Sequence, residues 1–296
     1  MTGPILVFGR DGQVARELAD LAEASGRAMT FAGRGTLDLS DPKAVDSAIE
    51  GLIAEIGPGA VINAAAYTAV DRAEGEPDAA FALNRDAPAA MARACAARGL
   101  PFTHFSTDYV FDGTLDRPYV ETDPTGPTGV YGASKLAGEQ AVSAAGGPAI
   151  TLRTSWVYGA HGANFVRTML RLAGDRDEIG VVADQIGRPT WARDCAQAAL
   201  LATDALARDP GLAGVYHLSG AGDASWADLA AAIFAESARR GGPTARVRAI
   251  TTADYPTPAK RPANSRLDCG KIETALPWRC RPWRESLAAC MNEMEF

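Results

Sequence analysis

The sequence predicts a doubly wound α/β fold on a parallel sheet, and three observations carry that prediction. Ile5-Leu6-Val7-Phe8 is wholly apolar, as a strand buried on both faces must be. It runs straight into Gly9-Arg10-Asp11-Gly12, after which Val14, Leu18, Leu21 and Ala22 recur at helical spacing. Short apolar runs then alternate with helical patterns through residue 154, the rhythm of strand–helix–strand units.

The first strand and turn carry chemical meaning. Gly9 permits the tight turn, Gly12 lets backbone approach a pyrophosphate, and Ala15 keeps the helix close to the sheet. Free N–H groups at the helix start attract phosphate oxygens. This makes the fold Rossmann-type. Residues 1–154, with parts of 190–220, are expected to form the dinucleotide-binding domain, and 155–189 with 220–296 a smaller α/β substrate-binding region.

The second strand, Ala28 to Ala32, ends in Gly33-Arg34-Gly35. An acidic residue there would suit a ribose 2′-hydroxyl; Arg34 suits a 2′-phosphate, unless it is simply an exposed loop arginine. Asp38 and Leu39 follow at the adenine end. Ser40-Asp41-Pro42 has the form of a helix start, and Val45, Ala48, Ile49, Leu52, Ile53 and Ile56 mark one buried face. The third strand, Ala60-Val61-Ile62, leads into Asn63-Ala64-Ala65-Ala66-Tyr67-Thr68, whose small residues leave room for a ligand. A helix is expected from about Pro77 to Ala97, then a strand from Phe102 to Phe105. That strand delivers Ser106-Thr107-Asp108-Tyr109, groups able to hydrogen-bond a substrate oxygen or merely to cap the next turn.

Tyr131-Gly132-Ala133-Ser134-Lys135 opens the next helical pattern, so the phenol and the ammonium share a face. A charge about 4 Å away at an effective dielectric of about 20 favours the phenolate by roughly 4 kcal/mol. On that ground Lys135 is expected to pull the tyrosine pKa from near 10 toward 7, where a general acid works best. A strand at Ile150–Arg153, a loop with Trp156, and a helix from Phe165 to Leu172 come next. Residues 184–190 fit no regular element; Tyr216–Leu218 suits a strand, Trp226–Arg239 a helix, and Trp283–Met294 a last short helix. The proline-rich run from Ala253 to Arg266 carries Lys260, Arg261 and Arg266, either an anion clamp or a solvated loop.

Composition excludes several classes. A net charge of −7 without a basic cluster argues against nucleic acid, and no apolar run reaches a membrane span. The N-terminus has no basic leader, and five scattered cysteines suit reduced thiols, so a cytoplasmic location is expected. Three separated histidines make a histidine metal cluster unexpected, and no metal is assigned. A Gly-x-Ser-x-Gly elbow is absent, which removes a serine hydrolase.

Five blocks in order carry a resemblance: Phe8–Val14, Asn63–Asp71, Ser106–Phe111, Arg153–Tyr158 and Arg261–Leu267. Together with Tyr131 and Lys135 they resemble the dTDP-4-dehydrorhamnose reductase family of the extended short-chain dehydrogenase/reductase superfamily. The resemblance implies reduction of a 4-keto nucleotide sugar by NADPH, with NADH tolerated, and a homodimer in some members. It implies Tyr131 as proton donor, Lys135 as its electrostatic partner, Thr107 as the catalytic hydroxyl, and Asp108 beside it in the catalytic group, contacting the sugar. Cofactor contacts would come from Gly9, Asp11, Gly12, Gln13, Val14, Arg34, Asp38, Leu39, Ala64, Ala65, Ala66, Tyr67, Thr68 and Phe105, besides Tyr131 and Lys135. The resemblance places Trp156 against the deoxysugar; apart from the resemblance, Arg261 and Asn264, with Asn164, are expected at the diphosphate and nucleotide end of the substrate. Two rival readings keep the fold: an epimerase or dehydratase that recycles bound NAD⁺, and a regulatory subunit without chemistry.

Overall fold

The computed structural model describes residues 2–41 and 44–294. Six parallel strands make the main sheet: β1 Ile5–Phe8, β2 Met29–Ala32, β3 Ala60–Asn63, β4 Phe102–Thr107, β5 Ala149–Thr154 and β6 Gly214–Leu218, in the order β6-β5-β4-β3-β1-β2. Every side chain of β1 and β3 is buried, which is why those stretches are apolar without alternation. The direction of winding reverses between β1 and β3, so a crevice opens at their carboxyl ends.

Helices α1 Gln13–Ser25 and α2 Val45–Ile56 both end in a left-handed glycine, Gly26 and Gly57. The expected start at Ser40-Asp41-Pro42 falls partly outside the described residues, because Pro42 does; α2 itself begins at Val45. The single helix expected from Pro77 to Ala97 is broken. It consists of α3 Pro77–Phe81, a π-turn Ala82–Asp86 and α4 Ala87–Ala96, and the π-turn brings Asn84 inward. Helix α5 Val130–Ala144 carries Tyr131 and Lys135.

Beyond β5 the chain forms α6 Phe165–Ala173, α7 Ala192–Arg208, α8 Trp226–Arg239 and α9 Trp283–Met291. The last is shorter than the expected Trp283–Met294. Helix α7 fills a stretch that the sequence reading leaves unassigned; its buried face is built mostly of alanines rather than large apolar residues. It packs on the sheet through Cys195, Ala198, Ala199 and Ala202, against Ile150 and Leu152. Glu178–Val182 and Arg246–Ile250 pair as a separate parallel ribbon, also unassigned by pattern. The ribbon joins a second core around Tyr158, Met169, Trp191, Phe234, Trp283 and Leu287. Among the described residues no helix is long and apolar enough to cross a membrane.

Candidate active site

Helix α5 is set against its neighbours through glycines. A side chain at Gly132 would collide with the Tyr109 carbonyl, and one at Gly138 with the carbonyl of Asn84 in the π-turn. The first backbone amide of α5, Val130, donates to Glu74 Oε1 at 2.9 Å. Asn84 is fully buried, accepts from the Tyr67 amide at 2.9 Å and donates to the Ser134 hydroxyl at 3.0 Å. The Tyr131–Lys135 face is thereby pinned to the loop after β3.

Tyr131, Lys135 and Glu139 follow one another at four-residue intervals along that face. Lys135 is buried, and its ammonium donates to the Phe105 carbonyl at 2.5 Å. Burial lowers its pKa to about 8, against the pull of the Glu139 carboxylate. Glu139 is itself held by buried Arg153, with Nη2 2.7 Å from Oε2 and Nε 2.9 Å from Oε1. Thr107 ends β4; its hydroxyl donates to Asp108 Oδ1 at 3.0 Å, accepts from the Tyr109 amide at 3.2 Å and lines the cleft with the Tyr131 phenol. The rings of Tyr109 and Tyr131 meet edge to face at 5.4 Å.

The expectation that Lys135 acidifies Tyr131 is corrected here. Burial pushes the phenol up to about 12; the nearby Thr107 hydroxyl opposes this and the Asp108 carboxylate adds to it. In the protein alone desolvation wins, and the ammonium is engaged by the Phe105 carbonyl. Tyr131 is therefore a neutral phenol at pH 7, ready to give a proton. Burial also raises Asp108 to about 6, opposed by the hydroxyls of Ser265 and Thr107.

A continuous cleft runs across the carboxyl ends of the strands. Its outer part, about 700 Å³, is lined by Gly9–Gly12, Gly33, Arg34, Leu37–Ser40, Ala64–Ala66 and Leu83. Its inner part, about 510 Å³, is lined by Gln13, Val14, Phe105–Tyr109, Tyr131, Lys135, Trp156 and Trp226, with Asp11, Gly12 and Ala64–Ala66 common to both. Gly9 has a φ of 113°, and a Cβ there would come within 3.0–3.2 Å of the Ala64–Ala65 backbone. Gly12 caps α1 without a side-chain hydrogen bond, leaving the first amides of a 13-residue helix to a ligand. Arg10 and Arg34 stand at the outer end, where a nucleotide carries its ribose phosphate. These features fit a phosphorylated dinucleotide.

The chain matches the family model described as RmlD substrate binding domain over residues 1–296. It is 46% identical over 284 residues to dTDP-4-dehydrorhamnose reductase of Sinorhizobium fredii, covering 95% of this chain and 94% of that one. Identity to the Escherichia coli K12 protein of the same name is 40% over 295 residues, 98% and 97% of the two chains. The crystal structure of Bacillus anthracis dTDP-4-dehydrorhamnose reductase in complex with NADP superposes with a TM-score of 0.90 at 33% identity, covering 99% of this chain and 100% of that one.

The chain belongs to the dTDP-4-dehydrorhamnose reductase family.

Not every residue expected at the site from the sequence lines the cleft. Tyr67 turns aside, its hydroxyl donating to Glu76 at 2.6 Å, although its neighbours Ala66 and Thr68 line the inner wall. Asn264 is buried and fully used, donating to the carbonyls of Leu115 and Arg117 and accepting from Arg266. Asn164 caps α6 through the Arg167 amide and donates to Gln13. Arg261 forms a two-point pair with Asp71, at 2.8 and 3.0 Å, so the expected anion clamp starts from a neutralised arginine. Arg266 likewise faces Asp223. Asp38 lines the outer cleft with its carboxylate turned onto Ser40. Arg10, Asn84 and Trp226 went unnominated. Arg10 could have been found from its place inside the glycine turn; the other two become visible only when distant segments meet.

Proposed function

We propose that this chain reduces the C4 ketone of dTDP-4-dehydro-β-L-rhamnose to dTDP-β-L-rhamnose, using NADPH and accepting NADH. The observation that carries this is the convergence of Thr107, Tyr131 and Lys135 in the inner part of the cleft at the carboxyl ends of the strands. When bound, the dihydronicotinamide supplies the hydride. The chain's own residues do the rest.

Tyr131 gives its proton to the sugar oxygen as that oxygen becomes an alkoxide far more basic than a phenolate. The Thr107 hydroxyl, within hydrogen-bond reach of the phenol, orients the same oxygen. Lys135 supplies the positive charge that stabilises the phenolate left behind, and in the ligand-free protein that charge is parked on the Phe105 carbonyl. Trp156 bounds the sugar, with Asp108 beside Thr107. Arg10 and Arg34 hold the 2′-phosphate of the cofactor. Arg261 leaves Asp71 to take the diphosphate of the sugar nucleotide, while Asn164 braces Gln13 of the cleft wall and Asn264 ties down the Leu115–Arg117 turn.

The test is stoichiometric. Purified protein, given dTDP-4-keto-6-deoxy sugar and the 3,5-epimerase that forms its L-isomer, should oxidise one NADPH per alcohol formed. Tightly bound NAD⁺ and turnover without added NADPH would instead mean an epimerase. The same reading carries a cytoplasmic homodimer, which light scattering on the purified protein checks for subunit number.

A further inference from the structure

We propose that Trp226 is a specificity residue: stacked on Trp156, it forms the apolar wall that receives the methyl end of a 6-deoxyhexose. This deepens the reductase reading and rests on it. Trp226 opens α8 in the second region, yet its indole lines the same cavity as Thr107 and Tyr131. The two indoles lie with centroids 3.6 Å and planes 9° apart. Phe165 leans on Trp226 at 4.7 Å, and the Trp226 N–H donates to Gln185 Oε1 at 3.2 Å. Gln185 is buried and in turn donates to Thr252 at 3.1 Å.

Trp156 is clamped as well. Among the described residues it alone, apart from glycines, has positive φ, at 49°. Its indole lies directly against Gly187, where any side chain would collide with the ring. A bulky residue stays in that conformation only where its surroundings over-determine it, and such places gather at functional sites. The pair is thus ordered before a ligand arrives, which lowers the cost of binding.

The wall also selects. A methyl group packs against indole carbon at no polar cost. A hydroxymethyl group would bring a hydroxyl to a surface whose Trp226 N–H is already given to Gln185. Apolar sites of this kind discriminate by roughly 10- to 100-fold.

Steady-state kinetics of Trp226→Ala and Trp226→Phe at saturating NADPH test this, with the 6-deoxy 4-ketosugar nucleotide and its 6-hydroxy counterpart. For Trp226→Ala we expect KM for the 6-deoxy sugar to rise about tenfold with kcat within about threefold, and the 6-deoxy preference to fall alike. Trp226→Phe should keep most of both. An unchanged KM and preference in Trp226→Ala overturns the proposal, as does equal loss of NADPH affinity and melting temperature. Should the wild type reduce neither sugar, the reductase reading fails by itself. Calorimetric titration with dTDP-rhamnose then decides the wall, an unaltered Kd in Trp226→Ala sinking it.

Discussion

Lys135 donates its ammonium to the Phe105 carbonyl at 2.5 Å, and Glu139, one helical turn further on, faces it with a carboxylate bound to Arg153. A buried ammonium in this setting is held between two opposing influences. Burial drives the proton off, and Glu139 keeps it on.

The pH dependence follows from that balance. The pKa of Lys135 lies below the ordinary lysine value, at about 8, so the ammonium is present at pH 7 and lost as pH rises through about 8. kcat/KM for the sugar at saturating NADPH should therefore fall on the alkaline side near that pH. Glu139→Gln removes the group that raises the Lys135 pKa and should shift the alkaline limb to lower pH. It also leaves Arg153 buried without its partner, which costs about 3–5 kcal/mol of stability. A limb that does not move between wild type and variant would contradict the assignment.

On the proposed reading, cofactor choice is set at the far end of the cleft. Arg10 and Arg34 both line it, and a charge-assisted bond to phosphate contributes about 1.5–3 kcal/mol. Replacing either by Ala should raise KM for NADPH roughly 10- to 100-fold and leave KM for NADH nearly unchanged. Equal effects on both cofactors would show that the arginines do not read the 2′-phosphate.

The seat of the catalytic helix has its own test. Gly138→Ala puts a methyl group against the Asn84 carbonyl, which is backbone and cannot swing away. Such overpacking costs about 1–3 kcal/mol, and thermal denaturation should register a fall of several degrees. Asn84→Ala should lower kcat as well, because it frees the Tyr67 loop from Ser134 on the same helix. Full activity with an unchanged melting temperature in both variants would mean that the π-turn has no part in placing Tyr131.

Much of this was legible in the residues themselves, for a physical reason. The β1–glycine–α1 unit and the Tyr131–Lys135 face are local: a continuous apolar run, one turn and a helical spacing determine them. Helix α7 was not, since its buried face is mostly alanine and lacks the large apolar residues that mark the other helices. Trp226 and Asn84 were hidden because each acquires its role from a partner far along the chain, Trp156 and Ser134. The sign of the Tyr131 shift was missed because charge can be counted in a sequence, whereas burial cannot.

The central claim is that the Tyr131 phenol delivers the proton. Single-turnover reduction by Tyr131→Phe, with NADPH affinity measured in parallel, tests it most directly. The account predicts a rate lower by about 10²–10⁴-fold with NADPH affinity preserved. A rate close to that of the wild type would contradict it.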